Sequence, residues 1–231
     1  MNRSDTADDA DVLRDLLHRR FSCRAFRPQS VPRPVIERIL ALAQRTASWC
    51  NTQPWRVHVT SGPGTERLRE RLYRHAASGA EPVSDLPWPR EFRGVHLDRR
   101  RRSGFGLYEA VGIARGDMAA RARQGLENFR LFGAPHVAVI TSDEALGVYG
   151  AIDCGGYVAN FLLAAEACGV SACPQAALAH HCDVLREELG VSAERVIVCG
   201  ISFGYADPEH PANRFRTERA ALDEAIDWVD E

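Results

Sequence analysis

No lysine occurs anywhere in the chain, and all 29 basic side chains are arginine. Without lysine there is no Schiff-base amine for pyridoxal chemistry and no P-loop amine for Walker-type phosphate transfer. Net charge is also scarce, −2 from 29 basic and 31 acidic residues, so the basic excess that nonspecific nucleic-acid binding needs is missing. The seven cysteines, Cys23, Cys50, Cys154, Cys168, Cys173, Cys182 and Cys199, are odd in number and include no C-x-x-C pair. That pattern argues against a disulfide framework or a zinc site. No apolar run near the start resembles a signal peptide, and no later stretch reaches membrane-spanning length without polar interruption. A reducing cytoplasm is expected, with neither nucleic acid nor membrane as partner.

What is present is ample apolar material, 45% of 231 residues, enough for a substantial core. Residues 1–9 are polar and acidic and read as a loose tail. Leu13, Leu16 and Leu17 recur at helical spacing and run into Arg19 and Arg20, a basic cluster at a helix C-terminus. Pro32 and Pro34 start a second helix whose apolar face is Val35, Ile36, Ile39, Leu40 and Ala43. Residues 55–60 alternate as a strand, stopped by Ser61, Gly62, Pro63 and Gly64. Thr65 then caps a helix carrying Leu68 and Leu72.

Residues 76–112 are rich in proline, glycine and arginine with weak periodicity, and are expected to form a mobile insertion over a site. A second strand spans 136–141. The long helix at 148–169 carries Ala151, Gly155, Gly156, Ala159, Ala164 and Ala165, which predicts close packing on all sides. A helix at 180–189 ends at Gly190, and the almost continuous apolar run 195–202 suits the middle of a sheet. Residues 208–231 form an arm, polar and extended to 219, with a short helix at 222–229. No repeat or linker divides the chain, so residues 1–231 read as one α+β domain.

Two short segments carry the chemistry. Arg20, Ser22 and Arg24 place two guanidiniums and a hydroxyl within five residues. Such a set binds a dianionic phosphate through charge-assisted hydrogen bonds, or forms a solvated basic cluster. Residues 46–55 hold Ser48, Asn51 and Gln53 in a turn before a strand. Neutral amides and hydroxyls can read the polar edge of a planar heterocycle, while Pro54 and Trp55 can equally serve only to close the turn and anchor the strand.

Together, R-x-S-x-R-x-F at 20–26 and A-S-x-x-N-x-Q-P-W at 47–55 resemble the N-terminal signature of the FMN-dependent nitroreductase family. The resemblance continues through N-F-R-L-F-G-A-P at 128–135, C-P-Q-A-A at 173–177, V-C-G-I-S-F-G-Y-A-D at 198–207 and N-R-F-R-T-E-R at 213–219. It is nearest the nitrobenzoate-reductase branch, which has an insertion similar to the arginine-rich stretch through Tyr108, Gly112 and Ile113. The resemblance implies a nitroreductase-like fold, a central mostly antiparallel sheet flanked by helices, and an intertwined homodimer with FMN at the subunit interface. It implies that Arg20, Phe21, Ser22 and Arg24 hold the FMN phosphate and ribityl chain, with Arg219 returning to the same phosphate. Ser48 and Asn51 match positions that reach the flavin from the other subunit, and Gln53 one that orders their loop. Pro174, Gln175 and Ala176 match the loop beside the ring. Three features depart from the family pattern: Phe21 stands where many relatives carry a basic residue, Ala47 replaces a common proline, and the loop Pro174-Gln175-Ala176 lacks the Gly or Glu of other relatives, a form similar to that of the nitrobenzoate branch.

The implied activity is ping-pong transfer of hydride from NADPH or NADH to a small-molecule electron acceptor, a nitroaromatic being the expected one. A flavin-dependent oxidase acting on a biosynthetic intermediate and a noncatalytic flavin-binding protein remain as alternatives. The run Arg99 to Arg102 reads as a solvated face or as a steering patch for anions. His180, His181 and Cys182 are adjacent on an expected helix and therefore diverge, so no metal site is expected there.

Overall fold

The computed structural model describes residues 8–230; most of the expected tail, residues 1–7, lies outside them. The tail expectation stops short of Asp9, because Asp8 caps the first helix, α1 (Asp9–Arg19), which Arg20 ends. Helix α2 (Arg33–Ala43) begins with proline in its first turn and buries Ile36, Ile39 and Ala43, as the apolar spacing predicts. Strand β1 (Arg56–Ser61) leads through Gly62, at φ 50°, into α3 (Pro63–Ala77). Thr65 is therefore inside the first turn and not its cap; its hydroxyl is spent on Thr60, 2.9 Å away.

The stretch expected to be irregular holds a 17-residue helix, α4 (Gly94–Ala110), with no buried residue. Its sequence lacks an apolar stripe because it has no core to face, and the periodicity test is blind to such a helix. Helix α5 (Met118–Leu126), which the sequence reading passed over, follows, capped by Asp117. Strand β2 (His136–Asp143), helix α6 (Gly147–Ala167), strand β3 (Ser171–Gln175), helix α7 (Cys182–Leu189) and strand β4 (Arg195–Gly204) complete the order. Gly190 closes α7 in the left-handed region at φ 63°, the usual role of glycine at a helix end. The helix expected at 222–229 is reduced to a single 3-10 turn, Leu222–Glu224.

The four strands form one antiparallel sheet in the order β1-β2-β4-β3. Alternate residues of β2 serve two cores. Val137 and Val139 pack with Leu68, Leu72 and Leu185 of α3 and α7, while Ala138 and Ile140 pack with Ile39, Tyr157 and Phe161 of α2 and α6. Strand β4 changes faces midway. Ile140 pairs with Cys199 but the next residue, Thr141, pairs with Ile197, so Val198 is an inserted residue. A bulge of this kind reverses which side chains point to which face. Ile197 thus joins the α3/α7 core while Ile201 and Phe203 join the other, which explains why the run reads as continuously apolar.

Helix α6 differs from the expectation of burial on all sides. Cys154, Tyr157, Phe161 and Ala165 are buried, but Val148, Tyr149 and Ile152 are exposed, Ile152 by 61%. The exposed small residues Gly155, Gly156 and Ala159 continue the same face. The span Glu144–Ala167 is long and apolar enough to cross a membrane by length and composition, yet its buried face forms the core between α2 and the sheet.

His136, only 2% exposed, joins three segments: its Nε2 accepts from the Val31 N–H at 3.0 Å, so its Nδ1–H donates to the Thr60 carbonyl at 3.2 Å. Burial lowers its pKa, as it does for His58 and His181. A neutral folded histidine means that the unfolded chain binds more protons below about pH 6.5, so stability is complete above that value and falls as pH drops through it. The melting temperature is expected to be level above pH 7 and to fall between pH 7 and 5. Thermal melts of His136→Gln, which retains a donor and an acceptor, should show a shallower slope; an unchanged slope would remove His136 from this account.

Candidate functional site

Three segments converge at the β3 edge of the sheet. Residues 20–26 run alongside β3: Ser22 bridges Ala172 in parallel, and the Cys23 N–H donates to the Ala172 carbonyl at 3.2 Å. Further along, Phe26 bridges Ala206, which follows β4. Asn213 fastens this segment. Its side-chain oxygen accepts from the Arg24 N–H at 2.8 Å, while its amide donates to the carbonyls of Ala25 at 2.7 Å and Asp207 at 2.8 Å. With every polar group used, a buried asparagine fixes the backbone direction of the segment. Sequence reading included Asn213 only as part of a motif; nothing local in the sequence reveals a bond across 189 positions.

This placement holds Arg20, Phe21, Ser22 and Arg24 half-buried alongside β3 at Ala172, on the strand that ends in Pro174 and Gln175. Among the described residues neither Arg20 nor Arg24 pairs with a carboxylate; the Arg24 guanidinium donates only to the Ser22 carbonyl, at 3.2 Å. Two partly desolvated guanidiniums with no counter-charge form a site for an anion. The thiols in the same place are inert, because burial pushes Cys23 up to about 12 and Cys173 up to about 11. A thiol at such a pKa is neither a nucleophile nor a metal ligand at neutral pH.

Gln175 faces inward. Its side-chain oxygen accepts from the Ser202 hydroxyl, and its amide donates to the Asn128 carbonyl at 2.9 Å. The side chain is therefore consumed in holding the turn after β3, where Pro174 and Gln175 still pair with Ile201 and Gly200 of β4.

The remaining expected residues sit elsewhere. Gln53 organises its loop: its N–H donates to the Ser48 hydroxyl at 2.9 Å, and its amide donates to the Asn51 side-chain oxygen at 3.1 Å and accepts from Gln44 at 3.0 Å. Cys50, Asn51 and Gln53 all have positive φ, 50°, 55° and 47°, a conformation that costs non-glycine residues roughly 1 kcal/mol or more each. The loop enters β1, at the opposite edge of the sheet from β3 and about 14 Å away by strand spacing. It also docks on α6, where Asp153 accepts from the Trp49 N–H at 3.1 Å and Trp49 meets Tyr149 at 4.6 Å.

Arg219 bonds locally, to the Thr217 hydroxyl at 2.9 Å, and among the described residues has no bond to Arg20, Ser22 or Arg24. The late arginine nearest the first segment is Arg216, whose guanidinium lies 3.8 Å from the Phe21 ring centre. Beside it opens a cavity of about 780 Å³ between α4 and the C-terminal arm, with Arg99, Arg102, Phe215, Arg216, Arg219 and Glu224 in its wall. Phe215 packs so closely on α4 that a Cβ on Gly106 would meet its ring at 2.5 Å.

A family model, that of the nitroreductase family, matches residues 17–205. The chain is 40% identical over 221 residues to nitroreductase NfnB of Mycolicibacterium smegmatis, covering 95% of this chain and 93% of that protein. It is 34% identical over 213 residues to 4-nitrobenzoate reductase of Pseudomonas putida, covering 92% of each. Among solved structures, it superposes on the crystal structure of the FMN-dependent nitroreductase NfnB from Mycobacterium smegmatis in complex with NADPH. The TM-score is 0.91 at 38% identity, with 96% of this chain and all of that one covered. With the antiparallel sheet, the edge segment at 20–26 and the sequence match agreeing over nearly the full length, the chain belongs to the nitroreductase family.

Proposed function

We propose that the chain is an FMN-dependent NAD(P)H oxidoreductase that reduces nitroaromatic acceptors, with Arg20, Ser22 and Arg24 holding the phosphate and ribityl end of the cofactor. The observation that carries this reading is the pair of half-buried, carboxylate-free guanidiniums fixed against β3. The relatives support it: the superposed NfnB is described as FMN-dependent and bound to NADPH. FMN, when bound, supplies the hydride chemistry linking a nicotinamide donor to the acceptor. The chain supplies position and charge. Arg20 and Arg24 neutralise the phosphate, Phe21 carries Arg216 above it, and Ser202 and Asn128 keep the turn at Pro174, Gln175 and Ala176 rigid.

The site needs two copies of the chain. Ser48 and Asn51 lie at the wrong edge of the sheet to join Arg20 in their own subunit, yet their loop docks on the exposed apolar face of α6. A second copy packed on that face brings its loop to the β3 edge. We take residues 1–231 as one domain, with 76–112 as the insertion over the site and 208–231 as the arm. In the cavity wall Arg99 pairs with Glu224 and Arg102 with Glu218, which leaves Arg216 and Arg219 as the charges that favour an anionic donor or acceptor. A cytoplasmic location is in keeping with seven unpaired cysteines.

The test is the absorption spectrum of the purified protein, followed by anaerobic addition of NADPH or NADH and then a nitroarene. The flavin bands should be present, bleach with the donor and return with the acceptor. A colourless protein that takes up no FMN would overturn the reading. Flavin that no nicotinamide donor bleaches would mark a binding protein, and turnover without NAD(P)H an oxidase.

A further inference from the structure

On the face of the sheet covered by α3 and α7, three side chains converge that the reduction reaction does not use. His75 stands in the last turn of α3, His181 immediately before α7, and Asp183 in its first turn. One donor atom from each lies within 4.8 Å of the other two, and His75 Nε2 is 3.6 Å from the Asp183 carboxylate. The atoms are also orphaned: His75 Nε2, His181 Nδ1 and Asp183 Oδ1 are shielded from solvent and, among the described residues, have no hydrogen-bond partner. His181 is only 4% exposed, so water does not satisfy it. Buried polar atoms without partners are rare, and here three occur within one cluster of metal-ligating side chains.

We propose that His75, His181 and Asp183 bind one divalent transition-metal ion of the zinc class. A proton can join only two of the three groups, whereas a metal ion accepts lone pairs from all of them. Two imidazoles and a carboxylate are a recurrent three-ligand set for such ions, leaving an open position. Bonds of roughly 2.0–2.2 Å in tetrahedral geometry put ligand atoms about 3.4 Å apart, close to the His75–Asp183 separation; small side-chain rotations bring in the third. The rings are already oriented, because His181 meets His75 at 5.0 Å and Phe129 at 4.8 Å, both edge to face. Access is through a cavity of about 370 Å³ lined by Arg71, Arg74, His75, Ser78 and Val184.

The adjacent triplet His180, His181 and Cys182 is not the ligand set. His180 packs on Trp88 at 3.5 Å, and the Cys182 thiol donates to the Ala179 carbonyl. His75, more than a hundred positions earlier, takes their place. The ion would clamp α3 to α7 and to Val83, which bonds on either side of His181. It would thus pin the base of the 76–112 insertion and the turn leading out of Pro174 and Gln175.

The experiment uses untagged, flavin-loaded protein dialysed against a chelator and then titrated with zinc(II) alone. Calorimetry and elemental analysis should report one zinc per chain, with a raised melting temperature. Loss of an outer partner of a metal ligand costs 10- to 100-fold in affinity, so His75→Gln and Asp183→Asn, each removing a ligand, should weaken binding by at least about 100-fold. Both positions are partly exposed, and flavin occupancy and circular dichroism should be unchanged. Zinc binding by the wild type no tighter than by the His75→Gln/Asp183→Asn double variant would overturn the proposal. These readouts are separate from catalysis, so failure here leaves the reductase reading untouched.

Discussion

Replacing Arg20 and Arg24 together by alanine is expected to give a folded protein, of unchanged oligomeric state, that purifies without FMN. A hydrogen bond to a charged group contributes about 1.5–3 kcal/mol. Two guanidiniums on one phosphate therefore account for roughly 3–6 kcal/mol, or about 10²–10⁴-fold in dissociation constant. The fold has little stake in either side chain, since Arg20 has no side-chain partner among the described residues and Arg24 has one, the Ser22 carbonyl. Quenching of FMN fluorescence on titration measures the loss, and size-exclusion chromatography checks the fold. Flavin occupancy equal to the wild type would refute the phosphate site. The late arginines separate in the same assay: Arg216→Ala should weaken FMN more than Arg219→Ala, because Arg216 lies over Phe21 whereas Arg219 bonds to its own turn.

The second large effect is expected at Ile152. Val148, Tyr149 and Ile152 expose an apolar stripe on α6, continued by Trp49, and contiguous apolar surface of this kind marks an interface. Glycines at 155 and 156 with Ala159 let another helix approach closely along it. Ile152→Arg places a desolvated charge in that contact and, by two-fold symmetry, places a like charge near it. Because Ile152 is 61% exposed in the single chain, the substitution costs the subunit fold little. Sedimentation should show monomer, and under the proposed two-copy site the monomer should lose FMN, because that site draws Ser48 and Asn51 from a second copy. A variant that stays dimeric with full flavin content would remove α6 from the interface. The two variants also distinguish one another: the arginine pair empties the site with the oligomeric state unchanged, whereas Ile152→Arg empties it by taking the proposed dimer apart.

Elements that bury a regular stripe were legible in the sequence, and those that do not were missed. α2 and the positions of β1, β2 and β4 follow from local periodicity and proline or glycine punctuation. α4 is invisible to the same test because none of its residues is buried, and the inward-outward assignment along β4 fails at Val198, where an inserted residue resets the alternation. α6 reads as buried all round because apolar residues on an exposed face look the same in sequence as apolar residues facing a core. For the site, the order of the two N-terminal segments was enough to suggest the cofactor. The sequence did not reveal Asn213, Phe215 against Gly106, or the meeting of His75 with His181, since each depends on segments brought together only by the finished sheet.

The contact between Phe215 and Gly106 bears on the sequence of events in time. α4 buries nothing, and residues 216–230 are exposed throughout, so the wall of the large cavity is made of parts with little cooperative hold on the sheet. Regions of that kind open at lower free energy than the body to which they are attached. The arm takes its register from the space at one hydrogen on α4, so it settles after that helix is in place and departs before the sheet does. Mild heating would open the cavity between α4 and the arm while the segment carrying Arg20 and Arg24 stays fixed against β3.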